Sequence, residues 1–395
     1  MTPAARLQAA IELVDEIAAA AKGGGAAADT LVARYFKTRR YAGSKDRRAV
    51  RELVYRAVRA FPEPPPSGRA AMLALAKADP ELLPLFDGSP HGPAPVAEAE
   101  RVVALPDSAV PGWLAARFDA VIGAEDLASL SGRAPLDLRV NRLRGTRDEA
   151  AAAFAGAEPT PHSPIGLRLP EAAPVDGTPA WDSGLVEVQD EGSQLLALAC
   201  EARPGDTVVD LCAGAGGKTL ALAAEMGNSG RLIASDSDRG RLSRMPARLT
   251  RAGVTIVEPR LLDPGRERSA LEDLTGKADL VLVDAPCSGT GTWRRNPELR
   301  WRLTRDMLER NVKLQAYLLD LATGLLAPGG RLVYAVCSLL AEEGRDQAEA
   351  LGARSSLVSQ VVPIEAGRDA GAGRILTPAR DGTDGFFVAR WRAPC

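Results

Sequence analysis

The second half of the chain alternates short apolar runs with helical stretches. The runs are bounded by turn residues and comprise TVVDL (207–211), RLIAS (231–235), VTIVE (254–258), DLVLV (279–283) and RLVYAV (331–336). Helical stretches lie between most of them, near 218–226, 239–252, 306–326 and 341–350. Buried strands separated by helices predict an α/β fold with a parallel, doubly wound sheet, which FFVARW (386–391) could extend by one strand.

Two further segments precede this sheet. Strand candidates PLDLRVNRL, IGLRLP and LVEVQD, with a helix from Arg147 to Ala155, indicate a small α+β module. The N-terminal region reads as helical, with breaks at 61–68 and 88–95. We therefore predict three domains, spanning 1–130, 135–185 and 186–395.

Composition excludes several kinds of site. The 395 residues include only two histidines, His91 and His162, each beside a proline, which argues against a Ser–His–Asp triad or a His-rich metal site. The five cysteines form no CxxC pair and are too sparse for a disulfide scaffold, which favours a reducing compartment and no metal. Neither a signal peptide pattern nor an apolar run of about 18 residues is present, so we expect a cytoplasmic protein without membrane contact. We also expect a monomer.

A glycine-rich loop, CAGAGGKT, follows the first run of the α/β half. It is not a Walker A loop, because Cys212 stands where that motif needs glycine, and Thr219 breaks GxGxxG. Asp236 ends the next strand, where a carboxylate suits a ribose diol, and Asp263 follows the third, where it could receive an adenine amine. A nucleoside without a phosphate cradle fits S-adenosylmethionine better than NAD or ATP; the alternative is a tight structural turn.

Two cysteines follow later strands, in DAPCSGTG (284–291) and VYAVCS (333–338). One cysteine after a strand is more often a core residue, but two, one of them after Asp-Ala-Pro, suit methylation at carbon 5 of a pyrimidine. A thiolate that adds to carbon 6 makes carbon 5 nucleophilic, and a carboxyl group at nitrogen 3 would neutralise the developing charge. This chemistry requires no histidine.

These motifs carry a family resemblance. DAPCSGTG followed by WRRNPELRW, with QDEGSQLLA ahead of the glycine loop, resembles the RsmB/Sun/NOP family of RNA cytosine-5 methyltransferases over about 135–395. Residues 1–130 resemble the NusB-like helical domain of the RsmB branch. The resemblance implies a Rossmann-like S-adenosylmethionine-dependent methyltransferase domain, a small α+β RNA-binding module and an all-α NusB-like domain.

The resemblance also implies roles for individual residues. Cys337 would be the nucleophile and Cys287 would help to resolve the adduct, with Asp284 and Lys218 beside the methyl donor and the base. The residues expected around the cofactor are Cys212, Ala213, Gly214, Ala215, Gly216, Gly217, Lys218, Asp236, Asp263 and Asp284. Because DNA cytosine-5 methyltransferases use a Pro-Cys pair, attack by Cys287, which follows a proline, is the alternative.

Three departures from the family pattern stand out. Gly214 and Ala215 replace Ala-Pro in the glycine loop, Val336 replaces the threonine before the nucleophile, and Gly344 replaces the asparagine of a Glu-Asn pair. We expect them to affect the rate and the handling of the adduct more than the type of reaction.

Basic residues are concentrated in segments that the formal net charge of −2 conceals. Residues 31–60 hold ten Lys/Arg against two acids, and 294–313 hold seven against three. Solvated helix faces are one explanation and RNA contacts the other. The predicted RNA-binding residues are Arg39, Arg40, Arg139, Arg142, Arg294 and Arg295. Trp293 could stack on a base or belong to the core.

We therefore expect an RNA methyltransferase that forms 5-methylcytidine, in ribosomal RNA and with 16S favoured by the resemblance. Two rival functions remain: a non-catalytic RNA-binding or ribosome assembly factor, and a DNA cytosine-5 methyltransferase that uses Cys287. Against the latter, no separate large DNA-recognition domain follows the glycine loop and the Pro-Cys loop.

Overall fold

The computed structural model describes residues 1–102, 104–170 and 173–395. Its α-helices are α1 (Pro3–Gly23), α2 (Ala28–Thr38), α3 (Ser44–Ala60), α4 (Gly68–Ala78), α5 (Ala124–Ser129), α6 (Arg147–Ala152), α7 (Pro179–Asp182), α8 (Glu191–Leu198), α9 (Gly217–Glu225), α10 (Arg239–Leu242), α11 (Met245–Ala252), α12 (Glu267–Ala270), α13 (Leu299–Arg302), α14 (Arg305–Leu325), α15 (Arg345–Arg354) and α16 (Pro378–Asp381). Its strands are β1 (Leu136–Val140), β2 (Glu158–Pro159), β3 (Gly166–Leu169), β4 (Val186–Val188), β5 (Thr207–Asp210), β6 (Arg231–Asp236), β7 (Val257–Leu261), β8 (Ala278–Asp284), β9 (Leu326–Val336), β10 (Val358–Gln360), β11 (Arg368–Ala370), β12 (Gly373–Leu376) and β13 (Phe386–Arg392). Short 3₁₀ helices span Pro80–Leu85, Glu98–Val102, Ala115–Arg117, Glu272–Leu274 and Thr290–Thr292.

The chain divides into two compact units. The helical unit comprises residues 1–116, 127–133 and 292–304, and the sheet unit comprises residues 117–126, 134–291 and 305–395. Residues 292–304, which the predicted boundaries place in the third domain, are grouped with the helices of the N-terminal region.

Helix α1 organises the helical unit. Thr2 caps its start by accepting a hydrogen bond from the Ala5 amide, and Gly24 ends it in the left-handed conformation, with φ of 68°. Leu7, Val14 and other apolar residues of this helix are fully buried. They pack against α2, α3, α4 and α13, so one apolar helix forms the centre of this core.

The segment 292–304 completes the helical unit with three consecutive side chains. The indole Nε1 of Trp301, a side chain buried in the core, donates to the Phe61 carbonyl at 2.8 Å. Arg302 donates to the carbonyl oxygens of residues 25 and 26, between α1 and α2. Arg300 is buried and donates to three carbonyl oxygens, those of residues 58, 59 and 109, at 2.8–3.1 Å. The segment therefore satisfies main-chain acceptors that helix ends leave unpaired.

A four-stranded antiparallel sheet begins the sheet unit, in the order β2-β3-β1-β4. These strands fall within the three strand candidates of the sequence, apart from the two-residue β2. Asn141, after β1, donates its side-chain amide to the carbonyl oxygens of Gly184 and Ala252, both at 2.9 Å. Glu187 of β4 pairs with Arg248 and Arg251 of α11. Polar side chains thus fix the small sheet against the neighbouring helix.

The large sheet has the order β11-β12-β13-β9-β8-β5-β6-β7, with β10 paired to β13. The five neighbouring strands β9, β8, β5, β6 and β7 are parallel, and β13 is antiparallel to β9. The chain order reverses between β5 and β8, and such a reversal opens a crevice at the carboxyl ends of the strands. The predicted doubly wound sheet is confirmed, and FFVARW lies inside it as β13.

One strand begins later than predicted, and three strands of the large sheet were not predicted. Helix α11 ends at Gly253, whose φ is 72°, and the Val254 amide returns a hydrogen bond to the Leu249 carbonyl at 2.9 Å. Val254 therefore closes the helix, the Ile256 carbonyl accepts from the Leu232 amide of β6 at 3.1 Å, and β7 begins at Val257. Strands β10, β11 and β12 are additional. Among the helices that the structure describes, none has the length and apolar character to cross a bilayer.

Candidate active site

A cavity of about 430 Å³ opens at the carboxyl edge of the large sheet, where an α/β fold places its ligands. It is lined by residues that follow β5, β6, β7, β8 and β9, together with two leucines of α14. The lining comprises Leu211, Cys212, Asp236, Ser237, Asp238, Arg241, Leu262, Glu267, Asp284, Ala285, Pro286, Cys287, Leu314, Leu318 and Cys337. Its carboxylates and thiols are concentrated in one small space.

The glycine loop is held against the end of β6. Gly214 has a φ of 58°, and its amide donates to the Asp236 carboxylate at 2.7 Å. A Cβ at this position would lie 2.4 Å from the guanidinium of Arg241, an exposed side chain that can move, so the loop favours glycine for its positive φ. The other oxygen of Asp236 accepts from the Asp238 amide at 2.7 Å. The loop that replaces the family's Ala-Pro thus has a defined conformation, which suits glycine.

Lys218 and Asp284 form an ion pair across the site. The Lys218 Nζ lies 2.7 Å from Asp284 Oδ2, and the lysine side chain is largely buried. Burial lowers the pKa of Lys218, but the charge and hydrogen bond of Asp284, with smaller contributions from Cys337 and Asp210, raise it further. The net pKa is therefore raised, and the lysine stays cationic near the Cys337 sulfur.

The two cysteines that follow β8 and β9 meet at the cavity. The Sγ atoms of Cys287 and Cys337 lie 3.4 Å apart, and both are free thiols. Hydrogen bonding to Cys337, together with burial, raises the pKa of the Cys287 thiol well above its usual range. This arrangement suits a pair in which Cys287 keeps its proton and donates it towards a Cys337 thiolate.

Three of the ten predicted cofactor residues line the cavity, and Gly214 and Lys218 are hydrogen-bonded to two of them. Cys212, Asp236 and Asp284 line the cavity, whereas Asp263 is exposed and outside the lining. Glu267 of α12 also lines the cavity, near the end of β7, and the sequence did not predict this residue. In the described ranges, no group of three or more His, Cys, Asp or Glu side chains has the arrangement of a metal site.

Two lining residues were missed although a signal was present. Asp238 directly precedes α10 and Arg241 lies in it, shortly after Asp236, the acid predicted to bind a ribose. The Asp238 side chain caps that helix by accepting from the Arg241 amide at 2.9 Å. An Asp two residues after the strand end, before a helical stretch, is the signal that could have identified this turn.

The predicted RNA-binding arginines of the sheet unit differ in exposure. Arg139 is buried, donates to the Gln189 amide oxygen at 2.6 Å, and has its pKa lowered to about 10 by burial. This is a correction, because a guanidinium enclosed in the small sheet is not presented to RNA. Arg142 pairs with Glu225 at 3.1 Å but remains about half exposed.

The corresponding residues of the helical unit also differ. Arg40 is exposed, whereas the guanidinium of Arg39 stacks on the Tyr35 ring with a 3.6 Å separation from its centroid. Arg294 is buried and Arg295 half-buried. Trp293 is fully buried, so it belongs to the core rather than to an exposed stacking surface. Its sequence neighbours were predicted from charge alone, which does not report burial.

Fold and site together define a class. A parallel sheet with an antiparallel neighbour to β9, a glycine loop after β5 and an acid after β6 form a Rossmann-like methyltransferase domain. A family model described as 16S rRNA methyltransferase RsmB/F matches residues 197–392. This match supports the RsmB/Sun family, which the motifs of the chain resemble.

Individual relatives agree with this assignment. Ribosomal RNA small subunit methyltransferase B of Salmonella newport (strain SL254) is 37% identical over 290 residues, which cover 71% of this chain and 65% of that protein. The chain thus spans less than two thirds of the length of the relatives it matches. The crystal structure of PH0851 superposes with a TM-score of 0.75 at 26% identity over 99% of both chains. A methyltransferase homologue from Pyrococcus horikoshii gives 0.60 at 28% identity, over 68% of this chain and 90% of that chain.

Proposed function

We propose that the protein is an S-adenosylmethionine-dependent RNA methyltransferase that forms 5-methylcytidine in ribosomal RNA of the small subunit. The observation that carries the proposal is the pair of thiols 3.4 Å apart, Cys287 and Cys337, at a cavity that also contains Asp284. One thiol is enough for addition to a pyrimidine, but a second thiol in contact with it suits a reaction in which the addition must be reversed.

The cavity fits the cofactor in size and charge. Its volume of about 430 Å³ lies within the usual range of small-molecule sites. Asp236, Asp284 and Glu267 supply negative charge for a ligand with a sulfonium and an ammonium group, and leucines supply apolar surface for adenine. When bound, S-adenosylmethionine supplies a methyl group on a cationic sulfur that leaves as a neutral thioether.

Cys337 would begin the reaction. Its thiolate forms a bond to carbon 6 of the cytosine, and the ring's 5,6 electron pair becomes available at carbon 5 for the methyl group. Lys218 lies close enough for its charge to interact with the Cys337 sulfur. The Asp284–Lys218 pair, with 2.7 Å between its charged atoms, would face nitrogen 3 of the cytosine and stabilise the charge that develops there.

Cys287 would act when the adduct is resolved. After methylation, a base removes the proton from carbon 5, the electron pair restores the 5,6 double bond, and the bond from carbon 6 to the Cys337 sulfur breaks. The raised pKa of Cys287 means that it holds a proton beside the departing sulfur. A hydrogen bond from this thiol stabilises the thiolate as it leaves.

The RNA substrate follows from family and charge. The Salmonella relative is named for the small-subunit ribosomal RNA, and this chain has exposed basic residues such as Arg40 and Arg142. The target cytosine must leave its stack to reach Cys337, and such extrusion costs least in a loop or a flexible junction.

The cysteine assignment can be tested with three variants of the full chain. Methyl transfer from radiolabelled S-adenosylmethionine to deproteinised RNA is measured, together with the protein–RNA complex that survives detergent gels. Cys337→Ala should abolish transfer, and Cys287→Ala should accumulate the covalent complex. Cys395→Ala, which removes an exposed thiol, is the control and should behave as wild type. Transfer by Cys337→Ala with loss in Cys287→Ala would instead identify Cys287 as the nucleophile.

Bisulfite sequencing of RNA from cells with and without the gene tests the substrate. We expect one or a few cytosines of small-subunit ribosomal RNA to lose protection when the gene is deleted. An unchanged RNA map, with no transfer by the purified protein to any RNA, would favour the non-catalytic assembly factor. Transfer to DNA alone would favour the DNA methyltransferase.

A further inference from the structure

A buried carboxylate lies behind the Cys287 loop. Glu343, between β9 and α15, has no solvent-exposed surface. Its two oxygens accept from the Ser288 amide at 2.9 and 3.1 Å, and one of them also accepts from the Ser288 hydroxyl at 2.5 Å. A carboxylate that accepts several hydrogen bonds from one residue fixes that residue more firmly than a neutral acceptor would.

A second side chain fixes the other neighbour of Cys287. The Gln315 side-chain amide, on α14, donates to the Pro286 carbonyl at 2.8 Å and to Glu343 Oε1 at 3.2 Å. The residues on both sides of Cys287 are therefore hydrogen-bonded to one buried Glu343–Gln315 pair. Rotation of the Cys287 side chain is the main remaining freedom of this thiol.

The same network reaches the Cys337 loop. The Ser338 hydroxyl lies 3.1 Å from the Ser288 hydroxyl and 3.2 Å from that of Thr290. The Gly291 amide donates to the Cys337 carbonyl at 3.0 Å. Cys337 also directly follows β9, so the ladder of the large sheet supports it independently of Glu343.

We propose that Glu343, with Gln315, is a positioning pair that holds the Cys287 thiol against Cys337, and that it acts on the release of methylated RNA more than on methyl transfer. The inference rests on the proposed function for its kinetic consequence. Its structural part, the control of the contact between the two sulfur atoms, stands on the hydrogen bonds alone.

The physical reason is geometric. Glu343→Gln replaces one carboxylate oxygen with an NH₂ group and removes the negative charge, so the Ser288 amide keeps one acceptor of two with a weaker hydrogen bond, and the loop relaxes. A displacement of about 1 Å at a reacting group can cost on the order of 100-fold in rate. Cys287 would bear this displacement, because Cys337 keeps its support from the sheet.

The kinetic experiment uses the full chain, deproteinised RNA from cells that lack the gene, and radiolabelled S-adenosylmethionine. In Glu343→Gln we expect first-turnover methylation within a few-fold of wild type, a steady-state rate reduced about 10- to 100-fold, and a covalent protein–RNA complex as in Cys287→Ala. The matched control is Glu349→Gln on α15, whose side chain is 57% exposed, and it should match wild type. Equal losses in both phases without covalent complex would overturn the proposal.

A second measurement requires no activity. Diamide oxidises two neighbouring thiols to a disulfide and is itself reduced to the hydrazine by their two hydrogens. The Cys287–Cys337 disulfide, quantified by mass spectrometry of unreduced peptides, should form at least several-fold more slowly in Glu343→Gln than in wild type and Glu349→Gln, at equal melting temperature. Unchanged disulfide formation in a folded variant would refute the positioning role. A slowed reaction in a protein that methylates no RNA would retain the positioning role and refute the proposed function.

Discussion

Asp210 provides a test of how the site tolerates buried charge. It ends β5 and is fully buried, and its Oδ2 accepts from the Thr219 hydroxyl at 2.7 Å. Its Oδ1 has no hydrogen-bond partner among the residues that the structure describes. Burial raises the pKa of Asp210 to about 7, with Asp284 and Asp236 adding to the rise while Thr219 and Lys218 oppose it.

The direction of the pH effect follows from this shift. Below about pH 3.8 the Asp210 carboxyl is neutral in both the folded and the unfolded protein, so its ionisation has no effect on stability. Between that pH and about 7 the folded state holds a proton that the unfolded state has released. Stability therefore decreases as the pH rises through this window, and the loss is complete above pH 7. A shift of about three pKa units corresponds to about 4 kcal/mol at most.

The perturbation is Asp210→Asn, which keeps the shape of the side chain and removes its titration. At pH 8 we expect the variant to be more stable than wild type by up to about 4 kcal/mol, and at pH 4 the two should differ little. Urea unfolding of the sheet unit at pH 4, 5, 6, 7 and 8 measures the difference. Asp369→Asn, with a side chain 86% exposed, is the control and should show no such trend. A difference between Asp210→Asn and wild type that is constant from pH 4 to 8 would refute the reasoning.

Two further changes test the packing. Arg300→Met removes the donors to three carbonyl oxygens of the helical unit, so it should destabilise that unit by about 3 kcal/mol, whereas Arg310→Met on the exposed face of α14 should change little. Thermal melting followed by circular dichroism compares the two, and equal melting temperatures would contradict the role of Arg300. Gly344→Asn, which restores the family's usual residue, places a Cβ 2.8 Å from the Phe387 ring and should cost about 1–3 kcal/mol. The double variant with Phe387→Ala, which removes the contacting Cγ and Cδ2 atoms, should lose less stability than the two single changes added together, and urea unfolding measures the difference.

The large sheet was predictable because its strands are buried on both faces. Short apolar runs that end at acids such as Asp236 and Asp284 and alternate with helical stretches indicate buried parallel strands. The error at Val254 has the same origin, because an apolar residue after a helix can close that helix as well as start a strand. Sequence periodicity does not distinguish these two uses.

The candidate site was predictable where it depends on chain position and not where it depends on packing. Cys287 and Cys337 could be assigned to one edge of the sheet because each follows a parallel strand. Glu343 appeared in the sequence only as half of a Glu-Asn pattern, and nothing in its spacing indicates that it faces the Ser288 amide. The prediction that Arg139 binds RNA was wrong for a related reason, because a charged residue in a short strand is expected to be exposed until its neighbours are known.

The grouping of residues 292–304 with the helices has a consequence for how the protein is made. Trp301 belongs to the same core as α1, almost 300 positions earlier, so the two ends of that core are synthesised far apart in time. At about 5–20 residues per second, the helices wait on the order of 10–60 s with part of their apolar surface exposed. A polypeptide that stops near residue 133 would retain that exposed surface permanently. The helical unit is thus completed late in translation, although most of its sequence emerges first.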